Sequence, residues 1–486
     1  MKLKKLLKDI PVKDIKGSKD VEITGVCANS KVVAPGNLFI AKPGRTTHGA
    51  QYIPQVIAAG AAAVVTDMYD PSIKEITQIV HPDVASIEGL LAARYHNNPS
   101  AELFMTGVTG TNGKTSVSYY IKHLLDNGSD TCGLIGTIES IICGCRYPAT
   151  HTTPDVCENH KMLRDMLIHG CSQAVMEVTS HALDQGRVNN IHFDVGVFTN
   201  LSQDHLDYHG TMECYCAAKK KLFAADRTKK AVVNRDDLWA EKILEGSTAD
   251  TLTYGIDSAA DIVATQLEPS DSGTRFILTY RGESLSCMIP VIGRHSVYNA
   301  LAAVGVALCA QLPLATIVSR LATLPCVAGR LEPVAHPLEF KVFVDFAHTE
   351  DALRHALTAL RELTSGRLIA VFGCGGDRDK DKRAKMGAVS EKLATFTFIT
   401  SDNPRSEDPK DISQAIADGF MDAKAYSIVT DRKEAIAAAI EMAQPGDCIL
   451  IAGKGHERQQ ISRHQTVPFD DRKVAAAICE QLVAAK

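Results

Sequence analysis

The stretch GVTGTNGKTS, residues 107–116, lies between an apolar β-favouring run, LFMTGV, and a segment of helical character, TSVSYYIKHLL. Gly110 and Gly113 let backbone N–H groups turn inward, Lys114 supplies a point charge and Thr115 offers a hydroxyl to Mg2+, while Thr111, Asn112 and Ser116 complete the loop. This is the layout of a triphosphate cradle at the start of a helix. The spelling departs from the strict GxxxxGK[ST] form, because Val108 stands five positions before Gly113. Taken alone, a glycine-rich turn with a lysine has many structural explanations; the flanking strand and helix favour the phosphate reading.

Outward from this loop the same punctuation recurs. QAVM precedes EVTSHALDQGR, VGVF precedes TNLSQDHLDYHG and KAVV precedes NRDD; later KVFV precedes DFAHTEDAL, RLIAVF precedes GCGGDRDKDKR, FTFIT precedes SDNPRSED and CILIA precedes GKGHE. Short β-branched runs that end in polar clusters and lead into helical segments predict an α/β fold. In open parallel sheets, ligands sit beyond such strand ends. The series is interrupted between about 250 and 335 by TRFILTYRGESLSCMIP, HSVYNALAAVGVALCAQL and the Gly-Arg pair at 329–330. One boundary is expected there and another near NNPS, 97–100, where a Pro-containing polar stretch precedes the first long strand. The resulting division is 1–98, 99–329 and 330–486, in keeping with about three domains for a chain of 486 residues. The first segment has shorter runs, ITGVCANS, NLFIAKPG and AAAVVTD, and reads as a small α/β module.

Composition narrows the function classes. Apolar residues make up 45% and charged ones 22%, as in an ordinary globular chain, and the net charge of −5 gives no electrostatic case for a nucleic-acid partner. In MKLKKLLKDIPVKDIKG the apolar run is broken by Lys8, Asp9 and Pro11, so it fails as a signal peptide. VIAAGAAAVVT, 56–66, is well short of the ~20 residues that span a bilayer. The expectation is a cytoplasmic protein with no membrane segment. The fourteen cysteines include no CxxC pair, which favours reduced thiols packed as small apolar groups.

Beside the loop, Glu177 follows a strand run, where a carboxylate could hold Mg2+ together with Thr115. Standing alone it would read as a surface acid. NLSQDHLDYHG adds Asp204, His205, Asp207 and His209; turn and capping roles for Asp207 and His209 stay open. Lys219 has no lone pair to offer a cation, and by itself reads as a helix-surface lysine.

The loop spelling G-x-x-G-T-x-G-K-[ST] is that of the Mur ligases and of the related folylpolyglutamate synthetases. From about residue 24 onward the chain resembles the Mur ligases, and among them most closely the members that add the third amino acid. The resemblance implies a small N-terminal α/β domain that binds uridine diphosphate, a central P-loop ATPase-like domain with a mostly parallel sheet, and a C-terminal Rossmann-like domain. It implies two Mg2+ sites built on Thr115, Glu177, His205 and Lys219, since HGTMECYCAAK matches the pattern whose lysine is carbamylated by CO2. Ser30 and the loop Arg45, Thr46, Thr47 correspond to uridine-diphosphate contacts. Thr152, Thr153, Thr179, Gln185 and Arg187 stand where the family holds the muramoyl peptide; Thr179 replaces a commoner serine, and His151 occupies a site often taken by Asn. Asn299, Arg330, Asp345 and His348 match the stretches that hold adenine, phosphate and ribose. The implied catalytic set is Lys114, Lys219, Glu177, His205 and Arg330.

By the same resemblance, TSDNPRSED carries the form found in members that add meso-diaminopimelate. Arg405 can grip that substrate's far carboxylate bidentately, whereas lysine would offer it no anion. Pro404 sets the backbone, Asp402 and Asn403 can take the ammonium, and Arg378, Gly453 and Glu457 complete the pocket. Ala384 departs from the family's usual KRP. The implied reaction is ATP-dependent amide formation on UDP-N-acetylmuramoyl-L-alanyl-D-glutamate through an acyl phosphate, by a monomer. Lysine addition, a folylpolyglutamate synthetase-like ligase and a non-catalytic ATP switch are the alternatives.

Overall fold

The computed structural model describes residues 1–44, 47–126, 128 and 131–484. Three main sheets, of five, eleven and six strands, follow one another along the chain. The first pairs Gly25–Cys27, Asn37–Ile40, Ala63–Thr66 and Thr77–Val80 in parallel, with Asp14–Lys16 antiparallel at the edge. Its strands are short, and Leu38, Ile40, Val65 and Ile79 have no exposed surface.

The central sheet decides where the glycine-rich loop ends up. Phe104–Thr109 lies between Gln173–Glu177 on one side and Phe193–Phe198 on the other, all parallel. The chain first crosses to Cys132–Ile135, returns to fill the gap with Gln173–Glu177, then reverses direction across the sheet through Phe193–Phe198, Thr228–Asn234 and Asp250–Gly255. Phe104–Thr109 is therefore at a topological switch point, where the loops beyond adjacent strands part and leave a crevice. These strands are buried on both faces and read as continuous apolar runs, as parallel strands between helices do. Antiparallel strands extend both edges: Glu139–Ile142 and Cys145–Pro148 on one, Gly273–Tyr280 and Glu283–Ile289 on the other. The helices Lys114–Leu125 and Arg294–Cys309 share one apolar core on this sheet, with Val117, Ile121, Val297 and Leu301 fully buried.

In the last sheet, Lys341–Asp345, Cys448–Ala452, Leu368–Phe372, Phe396–Ile399 and Tyr426–Ile428 are parallel in that spatial order. The strand latest in sequence inserts between the two earliest. That places the polar ends after Asp345, Phe372, Ile399 and Ala452 side by side. Among the described residues, no helix is long and apolar enough to cross a membrane.

Candidate active site

A cleft of about 950 Å3 runs between the central and C-terminal sheets and is lined by residues from both. The helix Lys114–Leu125 starts in it, and no side chain caps that helix, so its first N–H groups face the opening. Gly113, at the N-cap, has φ +88°, and a Cβ there would lie 2.4 Å from Asn299 Oδ1. At Gly110, with φ +153°, a Cβ would meet Thr199 Oγ1 at 1.8 Å. The two glycines are thus required by close packing as well as by backbone conformation. Lys114 Nζ donates to the carbonyls of Gly110 and Thr111 at 2.9 and 2.8 Å, curling the ammonium back over the loop. Burial lowers its pKa, with Glu177 and Asp204 opposing.

Glu177 has no exposed surface and ends the strand neighbouring the loop. Its Oε2 accepts from Thr115 Oγ1 at 3.0 Å and Thr137 Oγ1 at 2.8 Å, and Oε1 accepts from the Thr137 amide at 2.8 Å. A carboxylate and two hydroxyls are hard oxygen donors, the set that suits Mg2+. Thr137 belongs to no motif named in the sequence; its only signal is its place just beyond a parallel strand. No cluster of three His, Cys, Asp or Glu side chains able to hold a metal occurs among the described residues. Glu177 and His205 would need oxygen donors from elsewhere to complete a coordination shell.

Lys219 is 1% exposed and stacks its ammonium 4.4 Å from the centre of the Tyr215 ring, donating to Gly110 O at 2.7 Å. Burial, reinforced by Lys114, drives its pKa well below the usual lysine range. The surface-lysine reading thus gives way: the helix Met212–Lys220 turns this residue inward, under the phosphate loop. His205 sits in the left-handed region at φ +54°, and its Nε2 lies 3.5 Å from Asp204 Oδ2. Burial would raise Asp204, but the His348 and His205 imidazoles and the Lys382 ammonium hold it far below the usual carboxylate range.

Arg330 bridges the two sheets. Its Nη2 donates to Thr115 Oγ1 at 3.1 Å, and its guanidinium lies over the Phe346 ring at 4.7 Å. Asp345 accepts from the Leu331 and Ala347 amides at 2.6 and 2.7 Å, clamping the linker that carries Arg330. His348 lies 3.8 Å from Asp204, and Asn112 Nδ2 donates to Asp351 Oδ2 at 3.0 Å, further contacts between the two sheets' domains.

On the far wall, Arg405 has φ +52°; its Nη1 donates to Gly376 O at 2.7 Å. Asp402, Asn403, Gly453 and Glu457 line the same end, with Arg378 exposed beside them, whereas Pro404 is buried behind. Asn403 differs from expectation. Its Oδ1 already accepts from Lys454 Nζ at 2.9 Å and the Ile461 amide at 3.0 Å, and its Nδ2 donates to Glu457 Oε2 at 2.7 Å, so no acceptor is left to receive an ammonium.

The expected peptide-binding group divides. Thr152 and Thr179 line the cleft. Thr153 is 1% exposed and donates to Glu177 O at 2.8 Å, so it joins strand ends rather than facing the opening. Arg187 donates to Gln185 Oε1 at 3.0 and 2.7 Å and to Thr153 O at 2.9 Å, outside the cleft lining. Ser30 and Thr47 lie on the N-terminal module, away from the cleft lining, and Arg45 and Thr46 fall outside the described residues.

Comparison with known proteins bears directly on this arrangement. Residues 22–104 match the profile "Mur ligase family, catalytic domain", residues 108–307 match "Mur ligase middle domain" and residues 329–455 match "Mur ligase, glutamate ligase domain". The chain belongs to the Mur ligase family. Among its relatives is a Caldanaerobacter subterraneus subsp. tengcongensis protein named UDP-N-acetylmuramoyl-L-alanyl-D-glutamate--2,6-diaminopimelate ligase, 42% identical, with 98% of this chain and 99% of the relative covered. A Chlamydia caviae protein of the same name is 44% identical, with 98% and 99% covered. A solved structure of a ligase of that name matches with a TM-score of 0.72 at 32% identity over 99% of both chains. MurF from Acinetobacter baumannii shares the fold, with a TM-score of 0.69 at 20% identity over 94% of each chain. The Mur ligase architecture of three α/β domains is thus common to chains of low identity, and the cleft described above lies between two of those domains.

Proposed function

We propose that this Mur ligase adds meso-diaminopimelate to the D-glutamate of UDP-N-acetylmuramoyl-L-alanyl-D-glutamate, with ATP consumed to ADP and phosphate. The single observation that carries the choice of amine is Arg405, a half-buried guanidinium at the cleft wall with most of its donors uncommitted. The full-length likeness to ligases named for that amino acid supports the same choice.

The chemistry follows from the acyl donor. A carboxylate cannot expel oxide at neutral pH, so a carboxylate oxygen first attacks the γ-phosphorus of ATP, giving an acyl phosphate and ADP. The neutral amine then attacks the acyl carbon, and the tetrahedral intermediate collapses with loss of phosphate and of the amine's proton. Phosphoryl transfer is governed by position and electrostatics. The N–H groups of residues 113–116, at the start of the helix, and the Lys114 ammonium would cradle the phosphates, and Arg330 would reach the transferring group from the opposite domain. Thr115 and Glu177 would hold a Mg2+ that neutralises phosphate charge, and His205 with a carbamylated Lys219 would order a second. Lys219 is suited to carbamylation because burial favours its neutral amine, the form that attacks CO2. Asn299, Asp345 and His348 would frame the nucleoside. Ser30 and the loop 45–47 would meet the uridine diphosphate, and Thr152 and Thr179 the muramoyl peptide.

The domains are taken as 1–98, 99–329 and 330–486. We take the chain to act as a monomer, in the cytoplasmic setting that these substrates imply. The test is phosphate release assayed with the UDP-dipeptide and with diaminopimelate or lysine. Release requiring both the UDP-dipeptide and diaminopimelate supports the reading; release without any amine, or a preference for lysine, overturns it.

A further inference from the structure

Behind the amine end of the cleft lies a lysine that no part of the mechanism uses. Lys454 directly follows the strand Cys448–Ala452 and Gly453, and has no exposed surface. Its three ammonium hydrogens are all committed: to Asn403 Oδ1 at 2.9 Å, Glu457 Oε2 at 3.0 Å and Gln459 O at 2.7 Å. An ammonium has three donors and no acceptor, so none remains for a ligand. Lys454 is therefore not a substrate contact.

Its partners, however, are substrate-facing or hold substrate-facing groups. Glu457 Oε2 receives two donors, Lys454 Nζ and Asn403 Nδ2, while no hydrogen bond from a described residue reaches its Oε1. The Glu457 side chain is 33% exposed and lines the cleft. Oε1 is thus an unspent acceptor at the cleft, on a carboxylate pinned by two donors behind it. The same cluster steadies the loop bearing Arg405. The Ile461 amide donates to Asn403 Oδ1, Gln460 Nε2 donates to Asp402 O at 3.0 Å, and the Arg405 amide donates to Ile461 O at 3.1 Å. With Lys454 at the centre, residues 402–405 and 459–461 form one hydrogen-bonded unit.

We infer that Lys454 is a positioning residue for the incoming amine: it fixes the Asn403 amide and the Glu457 carboxylate so that Glu457 Oε1 meets the substrate ammonium while Arg405 meets the carboxylate. The inference rests on the amine site proposed above. Removing the ammonium leaves Asn403 Oδ1 and Glu457 Oε2 each short of a donor and frees Glu457 to rotate. Both changes act on amine binding and leave the phosphate loop alone.

The experiment compares the full-length wild type with Lys454→Met, which keeps the length and volume of the side chain without its charge. Phosphate release is measured with ATP, the UDP-dipeptide and the amine varied in turn. The KM for the amine should rise about 10–100-fold, as when a supporting partner of a ligand-binding group is lost, with kcat at saturating amine and the KM for ATP changed by less than about threefold. Lys454→Gln, which retains N–H donors for the Asn403 and Gln459 oxygens, should lie between the two and decides the matter if the methionine variant does not fold. An unchanged amine KM, or parallel rises in the KM for ATP and the amine, overturns the inference. A wild type that prefers lysine overturns the diaminopimelate reading instead, and the Lys454 comparison is then scored with lysine as the amine.

Discussion

Arg405→Ala is the most informative single change. The guanidinium has five N–H donors, and one Nη1 hydrogen is committed to Gly376 O at 2.7 Å. Four remain, and a bidentate grip on a carboxylate uses two. Hydrogen bonds to charged groups contribute about 1.5–3 kcal/mol each, and partial exposure of this side chain places the pair near the low end, about 3–4 kcal/mol together. That corresponds to a fall of about 10²–10³-fold in kcat/KM for diaminopimelate. Alanine keeps the left-handed backbone strain that Arg405 already bears at φ +52°, so the comparison reads the side chain alone. Lysine lacks the second carboxylate, and its kcat/KM should change by less than about threefold. Arg405→Lys retains a charge without the fork and should recover only part of the diaminopimelate activity. Steady-state phosphate release with both amines measures all of this. If Arg405→Ala depresses lysine and diaminopimelate equally, or leaves the preference for diaminopimelate intact, the assignment of Arg405 to the second carboxylate is wrong.

Other consequences are independent of that one. Lys219→Ala should abolish measurable turnover, and a small added carboxylate should restore part of it by occupying the space of the carbamate; full activity without the additive would exclude a metal-ordering role. Asp471 and Arg432 form an ion pair with no exposed surface, in which Arg432 also donates to Ser401 O and Ala452 O. Asp471→Asn should lower the stability of the C-terminal domain by about 3–5 kcal/mol, because it leaves a buried cation without its anion; urea unfolding followed by hydrogen exchange measures it. The Arg383 guanidinium hydrogen-bonded to Glu407 holds that carboxyl down at about 2, against an ordinary 4.5. The folded-state value lies below the unfolded one, so the stabilisation is complete above about pH 4.5 and is lost as pH falls towards 2. Glu407→Gln should therefore cost about 2–3 kcal/mol at pH 7 and progressively less below pH 4.5, and a cost independent of pH would contradict this account.

What the linear chain determined is local. Each β-branched run that ends in a polar cluster became a parallel strand with its cluster at the carboxyl end, because alternation, branching and turn residues act over a few neighbours. The glycine spacing of GVTGTNGKTS likewise specified a loop entering a helix, since glycine tolerates the positive φ that Gly110 and Gly113 adopt. The antiparallel extension by Glu139–Ile142 and Cys145–Pro148 carried no comparable signal: a short edge hairpin is stabilised by the sheet it joins.

Only the tertiary structure decided which polar groups meet. Thr137 closes on Glu177 because strand order sets Cys132–Ile135 beside Gln173–Glu177. Lys219 faces inward because its helix packs one side against the sheet, a choice that a run of three lysines does not announce. Asn403 is already saturated because Lys454 and Ile461, more than fifty residues later, share its amide. Such contacts depend on the burial of distant segments against one another: a buried polar group must find whatever partner the packing delivers, and neighbours in sequence do not reveal which partner that is.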